Sequence, residues 1–114
     1  MIADLNYLRT MSGGDDHFIR EMIALFREQI DEYEAQMPEL LKKGDYLRLS
    51  KMAHKAKSSV AVMGMKRESD MLKELEKLAL EQKEVDRYAG MIQTFLDQSR
   101  AALRELEQPS PGTL

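Results

Sequence analysis

The sequence predicts an all-α domain: an antiparallel four-helix bundle with a short N-terminal capping helix. Apolar residues recur at three- and four-residue spacing along most of the 114 residues, and no run alternates apolar and polar residues as a strand does. Four of these periodic segments are long and are joined by short connections, the pattern of an up-and-down bundle. We expect residues 1–107 to form this single domain. Residues 108–114 contain two prolines and no periodicity, which predicts a disordered C-terminal tail.

The first helix is short and lies between residues that favour helix ends. It is predicted to cover Leu5 to Thr10, with Asp4 as its cap and Gly13-Gly14 after its last turn.

The second helix is predicted to start at a cap formed by Asp15 or Asp16 and to end at Gly44. Because Pro38 has no backbone N–H, we expect a kink, or a break with a restart, late in this helix. The predicted apolar stripe of this helix consists of Ile19, Met22, Ile23, Phe26, Ile30, Tyr33, Met37 and Leu40 or Leu41.

Three further amphipathic helices follow. The third is predicted to begin after its cap Asp45 and to run to about Met63, where Gly64 stops it. The fourth is predicted over residues 67–82 and the fifth over residues 85–107, each with its apolar residues on one face.

The composition excludes several classes of function. The chain has no cysteine, so disulfides, thiolate metal sites and cysteine nucleophiles are excluded. Its net charge of −3, with acidic and basic residues mixed along the chain, argues against nucleic acid as the main partner. No apolar run approaches the roughly 20 residues that cross a bilayer. The segment Met1-Ile2-Ala3-Asp4 also lacks the basic and apolar regions of a signal peptide. We therefore expect a cytoplasmic protein without membrane contact.

His54 is the candidate functional residue of the third helix. At about 100° per residue it lies opposite the apolar stripe, which is predicted at Leu49, Met52, Ala56, Ser59, Val60 and Met63. The residues within about 60° of His54 are instead mostly cationic or small: Leu47, Ser50, Lys51, Lys57, Ser58 and Ala61.

This neighbourhood can be compared with the usual roles of histidine. Positions 50, 51, 57 and 58 supply no further metal ligand. A triad base needs an orienting carboxylate and a nucleophile, and this face shows neither, although a carboxylate from another helix would not be visible in the sequence. A neutral imidazole is a nucleophile toward phosphorus, and Lys51 and Lys57 would offset the roughly −2 charge of a phosphoryl group. The alternative is that His54 is one polar residue on a solvated face.

The segment around His54 is one of several motifs that occur together. The run His54-Lys55-Ala56-Lys57-Ser58-Ser59 is followed by Gly64, ten residues after the histidine. The other motifs are Tyr7-Leu8, Ser12-Gly13-Gly14-Asp15, Phe18-Ile19 through Leu25-Phe26, Gly44-Asp45 and Leu75-Glu76. In combination they resemble the histidine-phosphotransfer (Hpt) domain family, whose members carry His-x-x-Lys, then a small residue, and a glycine where the helix ends. The resemblance covers residues 4 to about 106.

The resemblance implies a phosphocarrier in a multistep two-component phosphorelay. His54 would accept a phosphoryl group, on the ring nitrogen farther from the backbone, from an aspartyl-phosphate of a response-regulator receiver domain, and would pass it to another receiver. Lys57 would neutralise that group. The catalytic carboxylates and Mg²⁺ belong to the receiver, so the chain would need neither a cofactor nor an ATP site of its own. A hybrid histidine kinase is a further implied partner, and a monomer is expected.

The resemblance also implies a receiver-docking surface, with which we group Leu47, Ser50, Lys51, Lys55 and Ala61. Two positions depart from the family pattern. Ser58 stands where glycine is usual, one turn beyond the histidine, and Ala56 stands where leucine is frequent.

Two alternatives remain at this point. The chain could be a non-catalytic module that binds a receiver or another helical protein, with His54 incidental. It could also be the excised phosphotransfer domain of a hybrid histidine kinase.

Overall fold

The computed structural model describes residues 2–107, and this part of the chain is helical without strands. The predicted all-α fold is confirmed. The helices are α1 (Asn6–Ser12), α2 (Asp16–Lys42), α3 (Tyr46–Val62), α4 (Lys66–Glu81) and α5 (Tyr88–Glu107), the last preceded by a 3₁₀ turn at Val85–Arg87.

The four long helices pack as a closed ring. Each of them contacts the next along the chain, and α5 returns to pack against α2, while α1 packs on α2. Because the connections are short, consecutive helices run antiparallel, which is the predicted four-helix bundle. The most extensive packing is between α3 and α4.

The helix ends follow the capping residues of the sequence. Asp15, rather than Asp16, caps α2 by accepting the N–H groups of His17 and Phe18. Asp45 caps α3 by accepting the N–H of Arg48. Asp4 accepts the N–H of Asn6 from just before the N-cap position, and α1 continues two residues further than predicted.

Pro38 does not break α2. The helix continues through it to Lys42, so the predicted possibility of a break with a restart is wrong. Met37 and Tyr33 are fully buried on the core side of the same turns, and Pro38 itself is exposed. The packing of this face holds the helical backbone on both sides of the proline and outweighs the loss of one backbone hydrogen bond.

The core lies along the axis of the bundle. The predicted stripe of α2 is confirmed: Ile19, Phe26, Ile30, Tyr33 and Met37 are buried, and its other residues are partly buried against the core. No helix within residues 2–107 is long and apolar enough to cross a membrane. The predicted disordered tail, residues 108–114, lies outside the described residues.

Candidate functional site

Helix α3 presents His54 to solvent because its opposite face is buried. Leu49, Ala53, Ala56 and Val60 are fully buried, at the spacing of one helical face. The side chain of His54 is 62% exposed, as the sequence predicts.

A carboxylate from α4 reaches this histidine. Oε2 of Glu76 lies 2.9 Å from Nδ1 of His54, and Oε1 of the same carboxylate lies 3.4 Å from Nζ of Lys57. Glu76 therefore joins the two residues of the His-x-x-Lys motif, with one oxygen for each. In the sequence Leu75-Glu76 is recognisable only as a family motif, because the helical period of α3 cannot show a carboxylate that another helix brings beside the histidine.

The contact with Glu76 decides which ring nitrogen of His54 is nucleophilic. An ionised carboxylate only accepts hydrogen bonds, so a neutral imidazole facing it carries its proton on Nδ1. Nε2 then holds the lone pair. Among residues 2–107 no hydrogen-bond partner occupies Nε2, and the ring is exposed.

Two serines fix α3 and α4 in register at this point. Oγ of Ser50 donates to the backbone carbonyl of Glu76 at 2.7 Å, and Oγ of Ser69 donates to that of Lys57 at 3.4 Å. Glu76 and Lys57, which lie beside His54, are thus held through their backbones as well as their side chains.

Ser50 corrects one sequence prediction. It was grouped with the docking surface, but it is only 4% exposed and is covered by α4. Its angular position beside His54 is as predicted, yet that side of α3 faces a neighbouring helix. Ser50 therefore positions Glu76 and cannot contact a partner.

A comparison with family models adds a separate observation. The family model of the Hpt domain matches residues 21–108, more than half of the chain, and this span includes His54, Lys57 and Glu76.

The chain belongs to the Hpt domain family.

Hpt domains are phosphocarriers in two-component phosphorelays rather than classical enzymes, and they interact with receiver domains and histidine kinases. Comparisons with curated proteins and with solved structures found no match.

The other predicted site residues of this Hpt domain lie around the histidine on α3. Lys51, Ser58 and Ala61 are exposed, and Leu47 is 54% exposed although it is apolar. Lys55 is exposed and lies 3.6 Å from the carboxylate of Glu32 on α2, on the opposite side of α3 from Glu76.

A groove between α2 and α3 extends this surface beyond what the sequence predicts. It has a volume of about 250 Å³ and is lined by residues that include Met22, Leu25, Lys55 and Ser58. Leu25 is 44% exposed and lies off the apolar stripe of α2. In the sequence, Leu25 is an apolar residue outside the predicted stripe of α2, and this is the signal that could have identified the groove.

No group of three or more candidate metal ligands occurs in the described part of this Hpt domain. The residues that Glu76 brings together are a histidine and a lysine, which suits an anionic group near Nε2 rather than a cation.

Proposed function

We propose that this Hpt domain carries a phosphoryl group on Nε2 of His54, accepting it from the aspartyl-phosphate of one receiver domain and passing it to another. The observation that carries the proposal is the contact between Nδ1 of His54 and Glu76. It leaves a lone pair on Nε2, on an exposed ring. An incoming phosphorus atom can reach that nitrogen without displacing any part of the bundle.

Lys57 is proposed to stabilise the phosphoryl group. Its ammonium is held by Glu76 beside the histidine, and its side chain is only 26% exposed, so the cation is partly shielded from water. A phosphoryl group brings a charge of roughly −2, and a partly shielded cation beside the histidine favours it more strongly than a fully solvated one.

The proposed docking surface is the exposed part of α3 with the adjoining groove on α2. It combines apolar side chains at Leu47 and Leu25 with the cations Lys51 and Lys55, and it includes Ala61. A small mixed surface of this kind suits a transient partner. The receiver would supply the catalytic carboxylates and Mg²⁺, so no cofactor or ATP site is assigned to this chain.

The proposal includes a monomeric domain in the cytoplasm, with a hybrid histidine kinase among its partners.

Transfer from a radiolabelled, phosphorylated receiver tests the proposed function. The wild-type chain is expected to take up acid-labile, base-stable label, and His54→Gln is expected to take up none. His17→Gln is the matched control, because His17 is the other histidine and lies on the exposed start of α2. This variant should be labelled like the wild type.

Equal labelling of His54→Gln and the wild type would contradict the assignment of the site. Binding of several receivers without any label on the wild type would instead favour the non-catalytic interaction module.

A further inference from the structure

A lysine of α4 lies at the height of the phosphoacceptor histidine. Two hydrogen bonds fix the register of α3 and α4, one from Ser50 to the carbonyl of Glu76 and one from Ser69 to the carbonyl of Lys57. Because the two helices are antiparallel, continuing either pairing along them places Lys73 level with the histidine, to within about one residue.

The side chain of Lys73 starts at the outer edge of the α3–α4 contact. On α4 it lies about 40° from Ser69 and about 60° from Glu76, toward solvent. Side chains lean toward the N-terminus of their own helix, so Lys73 leans along α3 in the direction from His54 to Lys57. Lys73, Lys57 and Glu76 border one groove, which has a volume of about 560 Å³.

The ammonium of Lys73 is available to a ligand. Lys73 is exposed and forms no ion pair with any residue in the range 2–107. The ammonium of Lys57, in contrast, is already paired with the carboxylate of Glu76. Lys51 lies one turn before His54 on α3, so its side chain leans away from the histidine.

A phosphoryl group on His54 leaves this site with excess negative charge. In the accepting step the lone pair of Nε2 attacks phosphorus and the Nε2–P bond forms. The P–O bond to the receiver's aspartate breaks, and its electron pair leaves with the aspartate carboxylate. The ring, which keeps its proton on Nδ1, becomes cationic. This ring and Lys57 together balance Glu76 and about one of the roughly two negative charges of the phosphoryl group.

We propose that Lys73 is a second phosphoryl-binding residue, supplied by α4, whose ammonium contacts the oxygens of the phosphoryl group on Nε2 of His54. The inference rests on the proposed function, because it names a further residue of the same site. The four-carbon stem of lysine is flexible, so the ammonium can turn from water to the anion when the anion arrives. The contact exists only in the phosphorylated chain, and Lys73 therefore stabilises that form over the unphosphorylated one.

The reactivity of the lysines in the wild-type chain tests for this contact. The chain is phosphorylated by a receiver, the receiver is removed, and an amine-reactive acylating reagent is added briefly before mass spectrometry. Phosphorylation should lower the acylation of Lys73 about threefold or more, and it should leave the exposed Lys83 unchanged. His54→Gln, treated in the same way, should show no change at Lys73. Since no receiver is present, a lower reactivity cannot come from coverage by the partner.

The equilibrium of phosphoryl exchange with a receiver measures the stabilisation. In Lys73→Met the ratio of phosphorylated to unphosphorylated carrier should fall about threefold to tenfold. We expect this variant to fold normally, because Lys73 is exposed and has no ion pair to lose. Lys73→Arg keeps the charge and should stay within about twofold of the wild type.

Lys77→Met is the matched control for the loss of one positive charge. Lys77 is also exposed on α4 and borders the same groove, but it lies about 6 Å further along the helix axis from the level of the histidine. Its replacement should change the equilibrium by less than about twofold, because an exposed charge at a greater distance is screened.

The inference is overturned if phosphorylation leaves the reactivity of Lys73 unchanged, or if Lys73→Met keeps the wild-type equilibrium. It is also overturned if Lys77→Met shifts the equilibrium as far as Lys73→Met does, since the effect would then come from the net charge of α4. A failure of the proposed function looks different. A wild-type chain that takes no label from any phosphorylated receiver overturns both proposals, whereas a labelled chain in which Lys73 does not respond overturns this inference alone.

Discussion

Ser58 lies beside His54 on the surface that we propose an incoming receiver contacts. It lies one turn beyond His54, is exposed, and lines the groove between α2 and α3. Side chains on a helix lean toward its N-terminus, so a larger residue here would extend toward the imidazole. The small size of Ser58, rather than its hydroxyl, is what we expect to matter for transfer.

Substitution of Ser58 tests this steric argument. Ser58→Leu should slow transfer from a phosphorylated receiver at least about tenfold, since even about 1.4 kcal/mol of steric cost has that effect. Ser58→Gly should transfer within about twofold of the wild type and should lower the free energy of unfolding by only about 0.5 kcal/mol. A leucine variant with wild-type transfer kinetics would refute the requirement for a small side chain.

The sequence predicts the exposed histidine and its lysine but not the carboxylate between them. His54 and Lys57 lie on one helix, and their relation follows from the helical period. Glu76 lies 22 positions away along the chain, on a helix whose rotation about its own axis is set by packing. Ser50 was misassigned for the same reason, because the period gives the direction of a side chain but not which neighbouring helix covers it.

The junction between α4 and α5 depends on one buried tyrosine. The hydroxyl of Tyr88 shares its one proton between the carbonyl of Leu78, in the last turn of α4, and that of Lys83, just after the helix, at 2.6 and 2.5 Å. Burial of the ring raises the pKa of Tyr88 above its ordinary value of about 10, and the neighbouring Tyr46, Glu84 and Glu81 raise it further.

This shift predicts a loss of stability at alkaline pH. In the unfolded chain Tyr88 releases its proton near pH 10, while the folded chain holds it to a higher pH, so its contribution is complete below about pH 10 and is lost as the pH rises further. Tyr88→Phe should be about 1 to 3 kcal/mol less stable at pH 8, because the buried hydrogen bond from its hydroxyl to these carbonyls is lost, and its stability should fall less between pH 9 and 11.

Urea unfolding at several pH values measures this difference. Tyr7→Phe is the control, since Tyr7 is 56% exposed on α1, and it should follow the wild-type dependence. A Tyr88→Phe variant whose stability falls as steeply as that of the wild type above pH 10 would contradict the role of Tyr88.

The helices themselves are largely predictable because their period and caps are local properties. Asp15, Asp45 and the glycines mark ends that the structure confirms to within a few residues. Pro38 was less predictable, since its effect on α2 depends on how strongly the flanking turns are buried, and that burial comes from the other helices.

The N-terminal segment joins the C-terminal ends of α3 and α5. The N–H of Asp4 donates to the carbonyl of Met63 at 2.9 Å, and that of Ile2 donates to Glu105 of α5 at 3.0 Å. Ala3 is buried between these contacts. The segment crosses Gly64, the residue that ends the histidine helix, so closely that an added Cβ there would overlap the backbone of Asp4.

Gly64 should therefore be more sensitive to substitution than a glycine in open space. Gly64 and Gly44 both have a φ of 70°, but nothing lies within 4 Å of a Cβ built on Gly44. Gly44→Ala should cost about 1 to 2 kcal/mol of left-handed strain. Gly64→Ala should cost about 1 to 3 kcal/mol more, because the Asp4 segment must also move. Equal thermal unfolding midpoints for the two variants would contradict this packing.

The proposed function depends on one bond, between phosphorus and a ring nitrogen of His54. NMR of the chain after phosphorylation by a receiver, with ¹⁵N in its histidines, identifies that bond directly. We expect the phosphoryl group on Nε2 of His54 and a proton on Nδ1, with the spectrum of His17 unchanged. A phosphoryl group on Nδ1 of His54, on His17, or on any side chain other than histidine would contradict the proposed carrier and the role of Glu76.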